Sequence, residues 1–213
     1  KSLADRINDA KCKLLITADG GFRGEKIIEL KKIADSAMEE TPSIKKCIVL
    51  QRTKCKIVMQ EKRDLWWHSE MKVSEKFCDI EVMDSEDPLF ILYTSGSTGK
   101  PKGIQHSTAG YMVYSEYSFR NVFQYKEGDI HWCTADIGWI TGHSYIVYGP
   151  LLSGATTVMF EGIPSYPDYG RFWDIVEKNK INIFYTAPTA IRSLQAQGEE
   201  YTAKYNLSSL RVL

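Results

Sequence analysis

The sequence predicts an α/β fold in which parallel-sheet layers are flanked by helices. Short apolar runs alternate with helical patterns along the whole chain. The run at 89–93 is wholly apolar, which is typical of strands inside parallel sheets. Turn-forming glycines and hydroxyl residues follow several of these runs. Such an alternation favours a parallel sheet with helices on its faces.

The front part of the chain opens this alternation. Its predicted elements are, in order, a strand over 14–17, a helix over 27–38, a strand over 47–50 and a short helix over 64–71. Asp19-Gly20-Gly21 ends the first strand, and Thr41-Pro42 ends the first helix. Asp64 is expected as the N-cap of the second helix, because a side-chain carboxylate can accept from its first N–H groups.

The rear part repeats the pattern more regularly. Its predicted strands are 89–93, 130–133, 156–160 and 181–185, and its predicted helices are 108–123, 142–152, 169–178 and 188–195. Pro188 fits the first turn of the last helix, where its missing N–H costs nothing. We find no internal repeat and no low-complexity tract that would indicate a repeat protein or a disordered tail.

The charges are distributed unevenly although they cancel. The 213 residues contain 27 basic and 27 acidic side chains, which argues against a polybasic protein that binds nucleic acid or a membrane surface. Residues 1–86 hold 33 of these charges, whereas 87–213 hold 21 of the aromatic residues and all 12 tyrosines. We therefore predict one subdomain over 1–86 and a second over 87–213.

The cysteines and the apolar runs indicate a cytoplasmic protein. An odd number of cysteines without C-x-x-C spacing suits reduced thiols: Cys12, Cys47, Cys55, Cys78 and Cys133. No run approaches the length of a membrane-spanning helix, and the charged opening residues do not resemble a secretory signal.

A loop rich in glycine and hydroxyl residues carries the strongest functional signal. Successive N–H groups in such a loop can form an anion-binding nest, and its hydroxyls and lysines add donors and positive charge. The loop predicts a nucleotide-phosphate site made by Thr94, Ser95, Gly96, Ser97, Thr98, Gly99, Lys100, Lys102 and Gly103. Pro101 stands where a Walker A loop needs Ser or Thr, which counts against a P-loop kinase.

Residues 93–103 resemble the phosphate loop of the acyl-adenylate-forming enzymes. The longer runs at 87–93, 132–145 and 185–192 are similar to the acetyl-CoA synthetases within this family, as are 16–19 and 63–67. The resemblance covers nearly the whole chain. It implies an internal fragment of the large N-terminal domain of an AMP-forming acetate–CoA ligase, with the 1–86 part on the CoA-nucleotide side and the 87–213 part on the acyl-pocket side.

The resemblance also implies roles for individual residues. Lys100 and Lys102 are the catalytic cations on the ATP phosphates, and Trp139, Ile140 and Thr141 shape the acyl pocket. The implied CoA contacts are Arg23, Gly24, Glu25, Lys26, Thr141, Ser165 and Ala187. Lys26 and Ser165 depart from the family, in which many members have Arg and Asn there. A carboxylate nucleophile needs no general base, so His143 is interpreted as structural.

The implied co-substrates are ATP and CoA, with Mg²⁺ held by residues that this chain does not contain. The family's adenine-binding and ribose-binding segments and its adenylation lysine are likewise expected elsewhere in a longer polypeptide, so we expect the isolated fragment to be inactive. Two alternatives stay open at this point. One is a ligase for propionate or another short-chain acid, and the other is a non-catalytic nucleotide- or CoA-binding module.

Overall fold

The computed structural model describes residues 1–95 and 101–213, and the chain divides into two compact units. The first comprises Lys1–Met83 and Phe90–Gln105, and the second comprises Asp84–Leu89 and His106–Leu213. Each unit contains its own parallel sheet with helices packed on it. The α/β fold class is therefore confirmed, while the proposed boundary between residues 86 and 87 stays a prediction.

The helices have the following bounds: α1 (Ser2–Asp9), α2 (Leu30–Met38), α3 (Trp67–Val73), α4 (Thr108–Val122), α5 (Ile140–Gly142), α6 (Gly149–Leu152), α7 (Arg171–Asn179) and α8 (Pro188–Gln195). A π-helical stretch, His143–Tyr148, joins α5 to α6. Within 1–95 and 101–213, none of the helices is both long enough and apolar enough to cross a bilayer.

The strands have the following bounds: β1 (Leu14–Ala18), β2 (Gly21–Arg23), β3 (Lys26–Ile28), β4 (Lys46–Leu50), β5 (Asp64–Trp66), β6 (Pro88–Ser95), β7 (Pro101–Ser107), β8 (Ile130–Cys133), β9 (Thr156–Val158) and β10 (Ile183–Tyr185). All five cysteines of the described chain are free thiols.

The first unit is built on a parallel sheet with the order β1-β4-β5. Its core forms where Ala34 and Met38 of α2 pack against Cys47 and Val49 of β4. The spacing of these α2 residues puts them on one face of the helix, which explains why the helix lies on the sheet. The strands β2 and β3 form a separate antiparallel hairpin directly after β1.

The second unit is built on a parallel sheet with the order β10-β8-β9. Trp132 of the central strand is fully buried and stacks on Phe184 of β10, with ring centroids 4.7 Å apart. The chain leaves β8 for one neighbour and then returns to the other side for β10. This reversal creates a crevice at the carboxyl ends of the strands, which is where open α/β sheets bind ligands.

Three predicted elements differ from the structure. The run at 89–93 belongs to β6, which forms a two-stranded sheet with β7, so its placement inside a parallel sheet is wrong. The helix predicted over 27–38 begins only at Leu30, because Ile27 and Ile28 pair with β2. Asp64 is the first residue of β5 and caps no helix, since it pairs in register with Cys47.

Candidate functional site

A cavity of about 440 Å³ lies at the carboxyl ends of β8 and β10 in the second unit. It therefore occupies the crevice that the strand order creates. It is lined by Cys133, Ala135, Asp136, Trp139, Thr141, Tyr185, Thr186, Ala187 and Pro188. Of the residues predicted for the acyl pocket and CoA, the structure brings Trp139, Thr141 and Ala187 together here. In the described part of the chain, Ile140 and Ser165 are not among the residues that line it.

Asp136 positions the wall that carries Trp139. Its Oδ1 accepts the backbone N–H of Gly138 at 2.7 Å, and its carbonyl oxygen accepts that of Trp139 at 3.1 Å. These bonds form a tight turn that ends where α5 begins. The Trp139 side chain is 71% exposed, so it forms an open rim of the cavity.

A close approach of two chain segments fixes the orientation of Thr141. A methyl group added to Gly142 would lie 2.4 Å from the carbonyl oxygen of Asp136 and 2.7 Å from Cα of Ile137. Only glycine therefore lets α5 start against the 136–139 turn. His143 donates a hydrogen bond from Nδ1 to the carbonyl oxygen of Trp139 at 3.1 Å, which agrees with a structural role.

The floor of the cavity joins the ends of two strands. The hydroxyls of Thr134, after β8, and Thr186, after β10, lie 2.6 Å apart and share a hydrogen bond. Ala187 then occupies the position immediately before α8, whose first residue is Pro188 as predicted. The hydrogen bond between the two hydroxyls thus fixes the position of the segment that carries Ala187 relative to β8.

A second cavity of about 470 Å³ lies on the other side of the 134–137 segment, between the ends of β8 and β9. It shares Ala135 and Asp136 with the first cavity and is also lined by Met159, Phe160 and Glu161. Ala135 and Asp136 therefore border both cavities. The sequence interpretation did not single out Asp136, although the Asp-x-Gly spacing of a tight turn was a usable signal.

Cys133 is a buried thiol at the edge of the first cavity. Burial raises the pKa of this thiol to about 11, against a smaller lowering by a hydrogen bond to the backbone of Ala135. Since the thiolate is the reactive form, Cys133 is inert at neutral pH.

The predicted phosphate loop is described only at its two ends. Thr94 and Ser95 are the last residues of β6, and Lys102 and Gly103 lie near the start of β7, where Lys102 is exposed. Gly96, Ser97, Thr98, Gly99 and Lys100 lie outside the described residues. A side chain at Gly103 would come within 2.9 Å of Ile91 and 3.1 Å of the Tyr93 ring, so glycine allows β7 to pack against β6.

The predicted CoA contacts of the first unit lie on the β2–β3 hairpin. Arg23 and Lys26 are directly opposite each other and exposed, and Gly24 and Glu25 form the connecting turn. Gly24 has φ of 62°, a left-handed conformation that favours glycine. The hairpin therefore presents two cations side by side.

The described residues, 1–95 and 101–213, contain no group of three or more His, Cys, Asp or Glu side chains arranged to hold a metal ion.

The chain matches known proteins over its whole length. A profile of the family described as "AMP-binding enzyme" matches residues 1–213. The chain is 57% identical to an acetyl-coenzyme A synthetase of Desulfatibacillum aliphaticivorans, 58% identical to one of Rubrobacter xylanophilus and 53% identical to acetyl-coenzyme A synthetase 2 of Pseudomonas aeruginosa. Each match covers 100% of this chain and 33% of the relative. The chain thus spans about a third of the length of these curated relatives.

Proposed function

Because the chain belongs to the family of AMP-binding enzymes, we propose that it is part of an AMP-forming acetate–CoA ligase. The structural observation that carries this proposal is the cavity at the carboxyl ends of β8 and β10, where Trp139, Thr141 and Ala187 meet. These residues come from two separate sequence motifs, and a shared acyl and thiol-arm pocket explains why they converge.

In the first half-reaction, a carboxylate oxygen of acetate attacks the α-phosphorus of ATP. The bond from that phosphorus to the bridging oxygen breaks, and pyrophosphate leaves with the bonding electrons. Attack of an anion on a polyphosphate is opposed by charge repulsion, which preorganised cations and N–H groups reduce. We assign this role to the 94–103 loop, with Lys100 and Lys102 as its cations.

In the second half-reaction, the sulfur of CoA attacks the acetyl carbonyl carbon, AMP leaves, and the thiol proton passes to solvent. Thr141 and Ala187 line the cavity from two sides and are assigned to the thiol arm, and Trp139, which lines it too, is assigned to limit the length of the acyl chain. Ile140 does not line this cavity, so its assignment to the acyl pocket rests on the resemblance alone. Cys133 lines the same cavity but stays protonated, because burial raises its pKa to about 11. This suppresses transfer of the acetyl group to the protein.

The remaining contacts of CoA follow the resemblance. Arg23, Gly24, Glu25 and Lys26 are assigned to its phosphorylated nucleotide end, and Ser165 to its pantetheine arm. Guanidinium and ammonium groups are suited to phosphate. Mg²⁺ would accompany ATP and neutralise part of its charge.

Acetate-dependent exchange of pyrophosphate into ATP by the complete polypeptide tests this function. We expect Lys102→Ala to lower the exchange rate about 100-fold, as removal of one preorganised donor does in other enzymes. Lys126→Ala is the matched control, because it removes an exposed lysine from the loop between α4 and β8. An unchanged rate in Lys102→Ala would refute the role assigned to Lys102, and absence of exchange by the wild type would refute the ligase and favour a non-catalytic binding module.

A ligase for propionate is the second candidate, because Trp139 is an open rim that does not by itself exclude one more methylene. A hydrophobic pocket discriminates by only ~1–3 kcal/mol per methylene. Competition among acetate, propionate and butyrate for the exchange reaction separates the two: the preferred acid has the highest kcat/KM.

A further inference from the structure

The β2–β3 hairpin places two positive charges opposite each other, which destabilises it. Arg23 and Lys26 are directly opposite in the antiparallel register, and like charges in that position destabilise a hairpin. An isolated two-stranded hairpin is in any case marginal in water. The hairpin therefore needs attachment to the rest of the first unit to keep its two cations in place.

The first attachment is Asp19, a fully buried carboxylate that directly follows β1. Its Oδ1 accepts three backbone N–H groups: Gly20 at 2.7 Å, Arg52 at 2.7 Å and Thr53 at 2.9 Å. Burial raises the pKa of Asp19, but the bonds from Thr53, Arg52 and Gly20 outweigh it and lower the pKa overall. Asp19 therefore stays charged and joins the root of the hairpin to the loop after β4.

The second attachment is Arg52, whose guanidinium lies over the ring of Phe22 at 4.8 Å from the centroid. Phe22 is paired with Ile27, and successive side chains of a strand point to opposite faces. Phe22 and Ile27 therefore form one face of the hairpin, and Arg23 and Lys26 form the other. Arg52 holds the hairpin from the face opposite to its cations.

The backbone at Gly20 lies close to both the loop after β4 and the strand β3. A methyl group there would lie 2.7 Å from Oγ1 of Thr53 and 3.1 Å from Cγ2 of Ile27 and from the carbonyl oxygen of Ile28. The loop after β4 and the strand β3 thus meet at Gly20. Arg23 and Lys26 are exposed on the other face, whereas Arg52 and the loop after β4 cover only part of the first one, where Phe22 and Ile27 stay 40% and 47% exposed.

We propose that Asp19 and Arg52 are positioning residues that hold the β2–β3 hairpin so that Arg23 and Lys26 bind the phosphates of CoA. This rests on the proposed function, which assigns those two cations to CoA. Neither Asp19 nor Arg52 touches the ligand: Asp19 fixes the root of the hairpin, and Arg52 fixes its orientation through the Phe22 ring.

The test uses the complete polypeptide and measures its two half-reactions separately. We expect Arg52→Ala to raise the KM for CoA about fivefold, the effect of losing one exposed cation–π contact. Acetate-dependent pyrophosphate exchange, which needs no CoA, should stay at the wild-type rate. Arg52→Lys should also raise the KM for CoA, because an ammonium group cannot stack on the Phe22 ring as a planar guanidinium does. Asp19→Asn should raise the KM for CoA in the same way, and Asp19→Ala should raise it further.

Lys13→Ala is the matched control, because it removes an exposed cation just before β1, at the opposite end of the same strand from Asp19. Its KM for CoA should not change. Equal losses in both half-reactions of Arg52→Ala would indicate general destabilisation and overturn the proposal.

A mutant cycle between Arg52 and the two hairpin cations separates positioning from direct binding. If Arg52 acts through the hairpin, Arg52→Ala has little further effect on the KM for CoA once Arg23→Ala and Lys26→Ala are both present. Fully additive effects would mean that Arg52 binds CoA itself and would overturn the positioning role. If Arg23→Ala leaves the KM for CoA unchanged while exchange is normal, the assigned CoA contacts and this proposal fail together. Absence of exchange in the wild type refutes the ligase itself.

Discussion

Lys31 Nζ lies 2.9 Å from Oδ2 of Asp64 in the interior of the first unit, where their side chains are 1% and 0% exposed. The ammonium also binds Asp35 at 2.6 Å and the carbonyl oxygen of Val58 at 3.0 Å. Arg63 contacts both carboxylates. Two negative and two positive groups thus form one network that joins α2 to β5.

We expect Lys31→Met to destabilise the first unit by about 3 kcal/mol, because removing one partner of a buried pair leaves carboxylates without full compensation. Arg63 remains on Asp64, which keeps the cost at the lower end of the range for buried pairs. Hydrogen exchange of peptides that cover β4 measures the effect, and their protection should fall about 100-fold. Lys32→Met is the control in the same helix, since Lys32 is 78% exposed and its pair with Glu29 should contribute under ~1 kcal/mol. Equal effects of the two substitutions would contradict a stabilising network.

We expect the buried His131 to make the stability of the second unit depend on pH. Burial lowers the pKa of this imidazole to about 4, although its hydrogen bond to the carbonyl oxygen of Tyr145 opposes the shift. The unfolded chain binds a proton near pH 6.5 and the folded one does not, so stability is full above pH 6.5 and falls as the pH drops towards 4. The loss should reach about 2 kcal/mol at pH 5.

Hydrogen exchange of β8 peptides at pH 7.5 and pH 5, corrected for the intrinsic rate, measures this loss. His131→Gln keeps an N–H donor but does not titrate, so its stability should change much less over the same interval. An identical pH dependence in the variant would assign the effect to other groups.

Gly142 is predicted to be irreplaceable for the wall of the first cavity. Gly142→Ala places a methyl group 2.4 Å from the carbonyl oxygen of Asp136, and backbone cannot rotate out of the way as a side chain can. We expect a loss of ~1–3 kcal/mol in stability and a raised KM for the acyl substrate as Thr141 moves. Gly110→Ala is the control at an exposed position of α4, where the methyl group would meet only the Ser107 hydroxyl, at 2.9 Å. Its Tm should be unchanged or slightly higher.

Local patterns in the sequence predict some elements of the fold and not others. The strands β1 and β4 and the helix α8 were predicted because apolar runs and Pro188 carry local signals. The hairpin was missed because Ile27 and Ile28 also fit the apolar spacing of a helix. Only pairing with β2, which depends on the Gly24 turn, decides between the two structures.

The site residues likewise divide into those that the sequence predicts and those that it does not. The family resemblance named Trp139, Thr141 and Ala187, which meet in one cavity. Asp19 and Asp136 were not predicted as site residues, because their carboxylates bind backbone N–H groups rather than a ligand. Lys31 lies on the same face of α2 as the apolar Ala34 and Met38. Only the packed structure shows that Asp35 and Asp64 surround its ammonium there.

The reactivity of the thiols towards alkylation tests the cores of both units in one experiment. Burial raises the pKa of Cys133 to about 11, and burial together with the Asp64 carboxylate raises that of Cys47 to about 11. Cys78 is exposed. At pH 8 a thiol with such a pKa is ~0.1% thiolate, roughly 200-fold less than an ordinary cysteine. Alkylation by iodoacetamide, followed by peptide mass spectrometry, should label Cys78 first and reach Cys47 and Cys133 only after urea is added. Labelling of Cys133 as fast as Cys78 would mean that the cavity delivers solvent to this thiol and that its inertness towards the acyl group fails.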